Sequence, residues 1–156
     1  MLSGPSIANE LARGRPTVVA LASPRSETLP GVVRALQTGR FRLRVSGDPV
    51  GVEWGGILKN VYALGLGLLD ATGRDSANFL AAFLDAGYLE MTALIEALGG
   101  RPETVAGPSG LGDLLATAHS PASHNRRYGA AIGRGERAED AAREVGMTPE
   151  GLRTLR

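Results

Sequence analysis

The sequence predicts a mainly α-helical protein with a small α/β segment at its front. Three observations carry this expectation. Thr17-Val18-Val19-Ala20-Leu21-Ala22 is short, wholly apolar after its first residue and rich in β-branched side chains, the pattern of a buried strand. Phe41-Arg42-Leu43-Arg44-Val45 alternates apolar with basic residues, as a half-buried or edge strand does. From Asp48 onward apolar residues recur at helical spacing through tandem segments, with no strand pattern between them.

The elements follow in order. Pro30 opens a short helix that runs through Ala35 and Leu36 and ends near Gly39, so residues 1–47 read as strand, helix, strand. That is too little for a complete doubly wound sheet. Asp48-Pro49 is an N-cap followed by a first-turn proline, and starts a helix reaching about Ala71 before Gly73. This helix carries Gly51, Gly55, Gly56, Gly65 and Gly67. Each interior glycine costs about 0.5–1 kcal/mol against alanine, a cost that close approach of other backbone can offset. Asp75 is placed to cap a second long helix ending at Gly99-Gly100-Arg101-Pro102. Shorter helices are expected over 111–118, 125–132 and 136–145, and from Pro149 onward. The division expected is 1–47 and 48–156.

Composition narrows the function. A chain of 156 residues, 43% hydrophobic and with net charge +1, can bury roughly 70% of its unfolded surface without staples. It has no cysteine, which excludes disulfides, cysteine-held metals and thiol catalysis, and its two histidines leave no histidine-rich metal centre; no metal is expected. Near-neutral charge argues against electrostatic nucleic-acid binding, and no apolar run reaches the ~18 residues of a membrane span. No signal peptide follows Met1, so a cytoplasmic chain is expected. Of 17 basic residues sixteen are arginine, and the single lysine, Lys59, sits in an apolar stretch. Lysine can give up its proton under suitable surroundings and arginine cannot.

Three constellations could carry chemistry. Gly55-Gly56-Ile57-Leu58-Lys59-Asn60 sets an amine beside a carboxamide with Leu58, Val61 and Tyr62 around it. A partly desolvated amine suits acid–base work, whereas a lysine stem packed on the core with its head in water would be purely structural. Gly107-Pro108-Ser109-Gly110-Leu111-Gly112-Asp113-Leu114 is a glycine-dense turn that brings Asp113 to a helix start, where a carboxylate is also stabilised by the helix dipole. Ser109 is no hydrolase nucleophile, because Leu111 stands where that motif needs glycine. Ser123-His124-Asn125-Arg126-Arg127 gathers hydroxyl, imidazole, amide and two guanidiniums at a helix start, a group that suits a phosphate. Gly65-Leu66-Gly67 follows no strand and reads as packing rather than a dinucleotide loop.

In this order, Leu2-Ser3-Gly4-Pro5-Ser6-Ile7-Ala8, then Gly51 to Asn60, then Gly110-Leu111-Gly112-Asp113-Leu114, then Ser123 to Gly129, then Gly146-Met147-Thr148-Pro149-Glu150-Gly151, the chain closely resembles bacterial NAD(P)-dependent glycerol-3-phosphate dehydrogenase. The resemblance implies the helical substrate domain of the glycerol-3-phosphate/6-phosphogluconate dehydrogenase type, preceded by a remnant of the dinucleotide-binding domain. It covers about the middle half of a family member, without the glycine-rich phosphate loop. The implied reaction interconverts sn-glycerol 3-phosphate and dihydroxyacetone phosphate with NAD or NADP, for phospholipid synthesis, and the chain alone is expected to be inactive. By this resemblance Lys59 is the general acid/base, and Asp113 and Asn60 orient the amine and the substrate. Gly4, Ser6, Thr117, Ser123, His124, Asn125 and Arg126 are substrate-side residues; Ala8, His124, Thr148 and Glu150 lie near the cofactor.

One departure matters. The family reads Ser-Arg-Asn where this chain has Ser123-His124-Asn125, and that arginine contacts the substrate phosphate. Losing such a bidentate contact costs about 1.5–3 kcal/mol, roughly ten- to over a hundred-fold in affinity. Arg126 takes over the phosphate, or the substrate differs, or selection on activity has lapsed. The alternatives are a related small-ketone reductase and a non-catalytic module in which the strand edges around Val18–Leu21 pair with a second copy. A homodimer is expected on either count. Nucleic-acid binding through Arg126, Arg127, Arg134 and Arg137 lacks the interleaved aromatics it would need.

Overall fold

The computed structural model describes residues 1–74, 76–120 and 123–155. It is mainly helical, with a three-stranded sheet near the front. Strand β1 (Leu2–Ser3) leads to helix α1 (Ala8–Ala12), then β2 (Thr17–Ala22), a 3₁₀ turn (Ser26–Thr28), α2 (Leu29–Leu36) and β3 (Phe41–Ser46). β2 and β3 are parallel, with Thr17 opposite Phe41 and Ala22 opposite Ser46. β1 runs antiparallel to β2, with Leu2 opposite Leu21. The Met1 ammonium donates to the Ala22 carbonyl and Ala22 N–H donates back to Met1, both at 2.9 Å. β1, at two residues, and α1, at five, are too short to show periodicity in the sequence.

This topology corrects one expectation. β2 lies between β1 and β3; β3 pairs along its whole length and β1 covers Ala20 and Leu21, so around Val18–Leu21 the edge is largely taken within the chain. The edge strands are β1, only two residues long, and β3, whose exposed Arg42 and Arg44 are side chains that discourage edge-to-edge pairing.

Helix α3 (Pro49–Ala71) starts where expected, and its cap does more than cap. Asp48 Oδ1 accepts Gly51 N–H at 2.9 Å, while Oδ2 accepts Arg101 N–H at 2.8 Å and the Thr104 hydroxyl at 2.6 Å. Burial alone would raise this carboxyl, which is only 5% exposed; the three donors and the Arg101 charge outweigh it and hold it below its ordinary value. The second long helix, α4 (Ala77–Ala97), has its expected cap, Asp75, outside the described residues. The hydroxyl of Ser76 accepts Phe79 N–H there at 3.3 Å. After α5 (Pro102–Val105), a π-helical turn (Pro108–Gly112) occupies the glycine-dense stretch, so α6 (Asp113–Ala118) begins two residues later than expected. α7 (His124–Gly133), α8 (Ala138–Val145) and α9 (Glu150–Thr154) complete the chain. No helix among the described residues is long and apolar enough to cross a membrane.

The chain forms two compact units. The first comprises Met1–Gly56 and Glu90–Asp113, with Ala20, Ala22 and Val52 clustered over one face of the sheet. The second comprises Ile57–Leu89 and Leu114–Arg156, and its core is Leu64, Tyr128, Ala131, Ala141 and Val145, flanked by Leu68, Ile132 and Leu152. Fully burying such a side chain contributes about 1.5–3 kcal/mol. In this unit α3 and α7 cross with their backbones in contact. A Cβ at Gly67 would run into the Arg126 carbonyl, and one at Gly129 into the Leu64 carbonyl. Of the α3 glycines that counted as a cost, Gly67 makes this crossing, while Gly65 makes room for the Phe83 ring and Gly55 for the Ser109 backbone.

Candidate functional site

The second unit gathers most of the residues singled out in the sequence. Lys59 is half-buried on α3, between the buried side chains of Leu58 and Asn60. One residue on, Asn60 is 8% exposed and both ends of its carboxamide are engaged: Oδ1 accepts Asn125 Nδ2 at 3.0 Å, and Nδ2 donates to Glu150 Oε2 at 3.0 Å. Asn125, also buried, accepts Gly151 N–H on its Oδ1 at 2.9 Å. Three helices, α3, α7 and α9, are thereby tied by two buried amides. Gly151 has to be glycine, because a Cβ there would strike the Asn60 carbonyl. In a buried setting such a chain of donors and acceptors fixes the orientation of each member, since breaking one link strands another.

Ser123 caps α7, its Oγ accepting Arg126 N–H at 3.4 Å with the extended backbone of an N-cap (φ −62°, ψ 119°). His124 is the exposed first residue of that helix. Thr117, half-buried, stands on the last turn of α6, and Thr148 is exposed. Arg126 departs from expectation. Its Nε and Nη2 grip the two oxygens of Asp70 at 2.6 and 2.9 Å, and its Nη1 donates to the Ala118 carbonyl. The hydrogen bond to Asp70 raises its pKa, burial pulling weakly the other way. The guanidinium clamped in this fork fastens α7 to the end of α3. The Asn125 side chain faces Asn60 and Gly151.

The remaining candidates lie in the first unit. Gly4 is buried at the end of β1 with φ +140°, its Cβ position 3.1 Å from the Val19 backbone, so packing of the turn on β2 already demands glycine. Ser6 and Ala8 are exposed, and Asp113, 4% exposed, is the first residue of α6. Two functional neighbours were missed. Asp70, the partner of Arg126, has no motif around it, and Gly151 carried no signal beyond its motif. The other arginines of the basic stretch have partners too: Arg127 donates to the Glu144 carbonyl, Arg134 pairs with Glu136 and Glu144, and Arg137 lies 3.9 Å from Glu139.

Residues 48–156 match the protein family described as NAD-dependent glycerol-3-phosphate dehydrogenase C-terminus. A glycerol-3-phosphate dehydrogenase [NAD(P)+] of Symbiobacterium thermophilum is 46% identical over 99% of this chain, and one of Desulfitobacterium hafniense 44% identical over all of it. The crystal structure of glycerol-3-phosphate dehydrogenase from Coxiella burnetii superposes with a TM-score of 0.90 at 39% identity over 97% of this chain. The chain spans 45%, 44% and 46% of those three proteins, less than half of each. The fold is therefore that of the helical portion of a nicotinamide-linked dehydrogenase with the last strands before it. Within that class, the chain belongs to the NAD-dependent glycerol-3-phosphate dehydrogenase family.

Proposed function

We propose that this chain is the substrate-holding, proton-transferring part of an enzyme that interconverts sn-glycerol 3-phosphate and dihydroxyacetone phosphate. The observation that carries the reading is the lone lysine of an otherwise all-arginine protein, half-buried and adjoining an amide whose two ends are fixed by Asn125 and Glu150. In the reducing direction the Lys59 ammonium gives its proton to the ketone oxygen as that oxygen gains charge; in the oxidising direction the free amine takes the hydroxyl proton. Asn60 is a positioning residue, held so that the α3 turn bearing Lys59 keeps one geometry. Asp113, Thr117, Ser123 and His124 take their substrate-side roles, and Ala8, Thr148 and Glu150 theirs near the cofactor, from the resemblance. Gly4 and Ser6 complete it.

The named relatives use NAD(P)+. Among the described residues nothing builds a pyrophosphate cradle: the connection from β2 to α2 is Ser23-Pro24-Arg25-Ser26-Glu27-Thr28, without a glycine. The chemistry assigned to these residues is accordingly confined to the proton, and the chain by itself is expected not to oxidise NADH. We assign residues 1–47 to the dinucleotide-binding side and 48–156 to the substrate side, a division supported by the family match beginning at residue 48. A cytoplasmic setting and a homodimer belong to the same reading, the latter open to light scattering.

The test is a chimera in which these residues replace the matching segment of the Coxiella burnetii relative. NADH-dependent reduction of dihydroxyacetone phosphate is expected, with Lys59→Arg and Lys59→Met lowering kcat by about 10²–10⁴-fold. A folded chimera whose activity survives both substitutions would refute the assignment.

A further inference from the structure

We propose that the first unit holds a binding site for a small phosphoryl compound, in a pocket to which the reading above gives no role. The pocket has a volume of about 360 Å³ and opens at the carboxyl end of β3. Ala20 and Val52 form its floor, and Arg44 shares the floor's face because it pairs in register with Ala20. Arg101 also lines the pocket; its Nη2 is 4.0 Å from where a Cβ on Gly47 would stand. Neither guanidinium has a hydrogen bond or a close ion pair among the described residues, although Arg101 is near enough for its charge to act on Asp48, whereas Arg126, Arg134 and Arg143 are all closely paired.

A second, independent observation lies in the same wall. Ser109 is 1% exposed, and its Oγ is the one buried side-chain polar atom among the described residues with no hydrogen-bond partner. A buried hydroxyl without a partner costs free energy that a ligand oxygen or a water bound to it recovers. Two unpaired guanidiniums and one unpaired hydroxyl around a pocket of this size ask for an acceptor-rich anion. Two carboxylates oppose this charge and shape the choice. Glu103 is on the rim and exposed, and Asp48 lies behind Thr104 but is already saturated by Gly51, Arg101 and Thr104. What favours a phosphoryl group over a carboxylate is therefore not charge alone but its three or more acceptor oxygens, which can engage both guanidiniums and the Ser109 hydroxyl at once. In parallel sheets ligands sit outside the carboxyl ends of the strands, which is where this pocket opens.

The experiment titrates the 156-residue chain with inorganic phosphate, and separately with acetate, at fixed ionic strength, following backbone amide resonances. Saturable one-site binding of phosphate is expected, with shifts concentrated in residues 44–47 and 101–109, and acetate about tenfold weaker. Arg44→Gln and Arg101→Gln should each weaken phosphate about tenfold, and Ser109→Ala severalfold, with melting temperatures showing that the variants fold. The proposal fails if phosphate does not saturate at millimolar concentration, if either arginine variant titrates like the wild type, or if acetate binds equally well. Unchanged binding by Ser109→Ala would remove the hydroxyl from the site and with it the account of its missing partner.

Discussion

Replacing Asn125 by alanine tests the amide network directly. The substitution deprives Gly151 N–H of its acceptor and Asn60 Oδ1 of its donor, and both hydrogen bonds are buried. Each stranded group costs about 1–3 kcal/mol, and partial access of water to the new gap recovers some of it, so a loss of about 3 kcal/mol is expected. With a urea m-value of about 1–3 kcal/mol/M, the unfolding midpoint read by circular dichroism should fall by about 1–3 M. Asn125→Asp sharpens the argument. The aspartate still accepts Gly151 N–H, but Asn60 then faces a carboxylate at 125 and the Glu150 carboxylate, with a single Nδ2 to share between them. It should therefore also lose stability at neutral pH despite being nearly isosteric. Ser123→Ala, which removes only a helix cap on the same element, should cost about 1 kcal/mol. If Asn125→Ala falls no further than the cap variant, or Asn125→Asp matches the wild type, the network does not hold these helices.

Asp48 gives a pH signature. Its carboxyl is held below the ordinary 3.8, so its stabilising contribution is complete above that unfolded-state value and disappears as acidity carries the pH down through the lower folded-state value. The stability gap between wild type and Asp48→Asn should be constant near neutrality and narrow only in acid, as acid titrations of both proteins would report. Arg126→Lys keeps the charge but loses the two-pronged grip on Asp70; because the pair is partly exposed, about 1 kcal/mol is expected in urea unfolding. Gly67→Ala forces a methyl into the Arg126 carbonyl and should cost about 3 kcal/mol, whereas the same change at exposed Gly39, which has open space around it, should be near neutral.

Much of the architecture is legible in local chemistry. The span of β2, the Asp48-Pro49 start of α3 and the run of short helices after residue 110 follow from periodicity, caps and proline, which act within a few residues. The misplacement is local as well: α6 starts late because five residues before it take a π-helical turn. The candidate site was legible in part. Lys59 stands out by count, and the motif order points to Asn60, Asn125 and Glu150 as members of one site.

Their roles were not legible, because a side chain's role depends on what faces it across a long stretch of chain. Asn125 meets Asn60 across 65 residues, and Arg126 meets Asp70 across 56. No spacing rule spans such a gap. Composition and pattern by themselves determined a cysteine-free, mainly helical chain with a single titratable amine in an apolar setting. Tertiary structure decided that Arg126 is a clasp, that Asn125 faces Asn60 and Gly151 and that Gly67 of α3 is where α7 crosses. The physical reason is that buried polar groups must satisfy one another, and only the folded chain determines which ones meet.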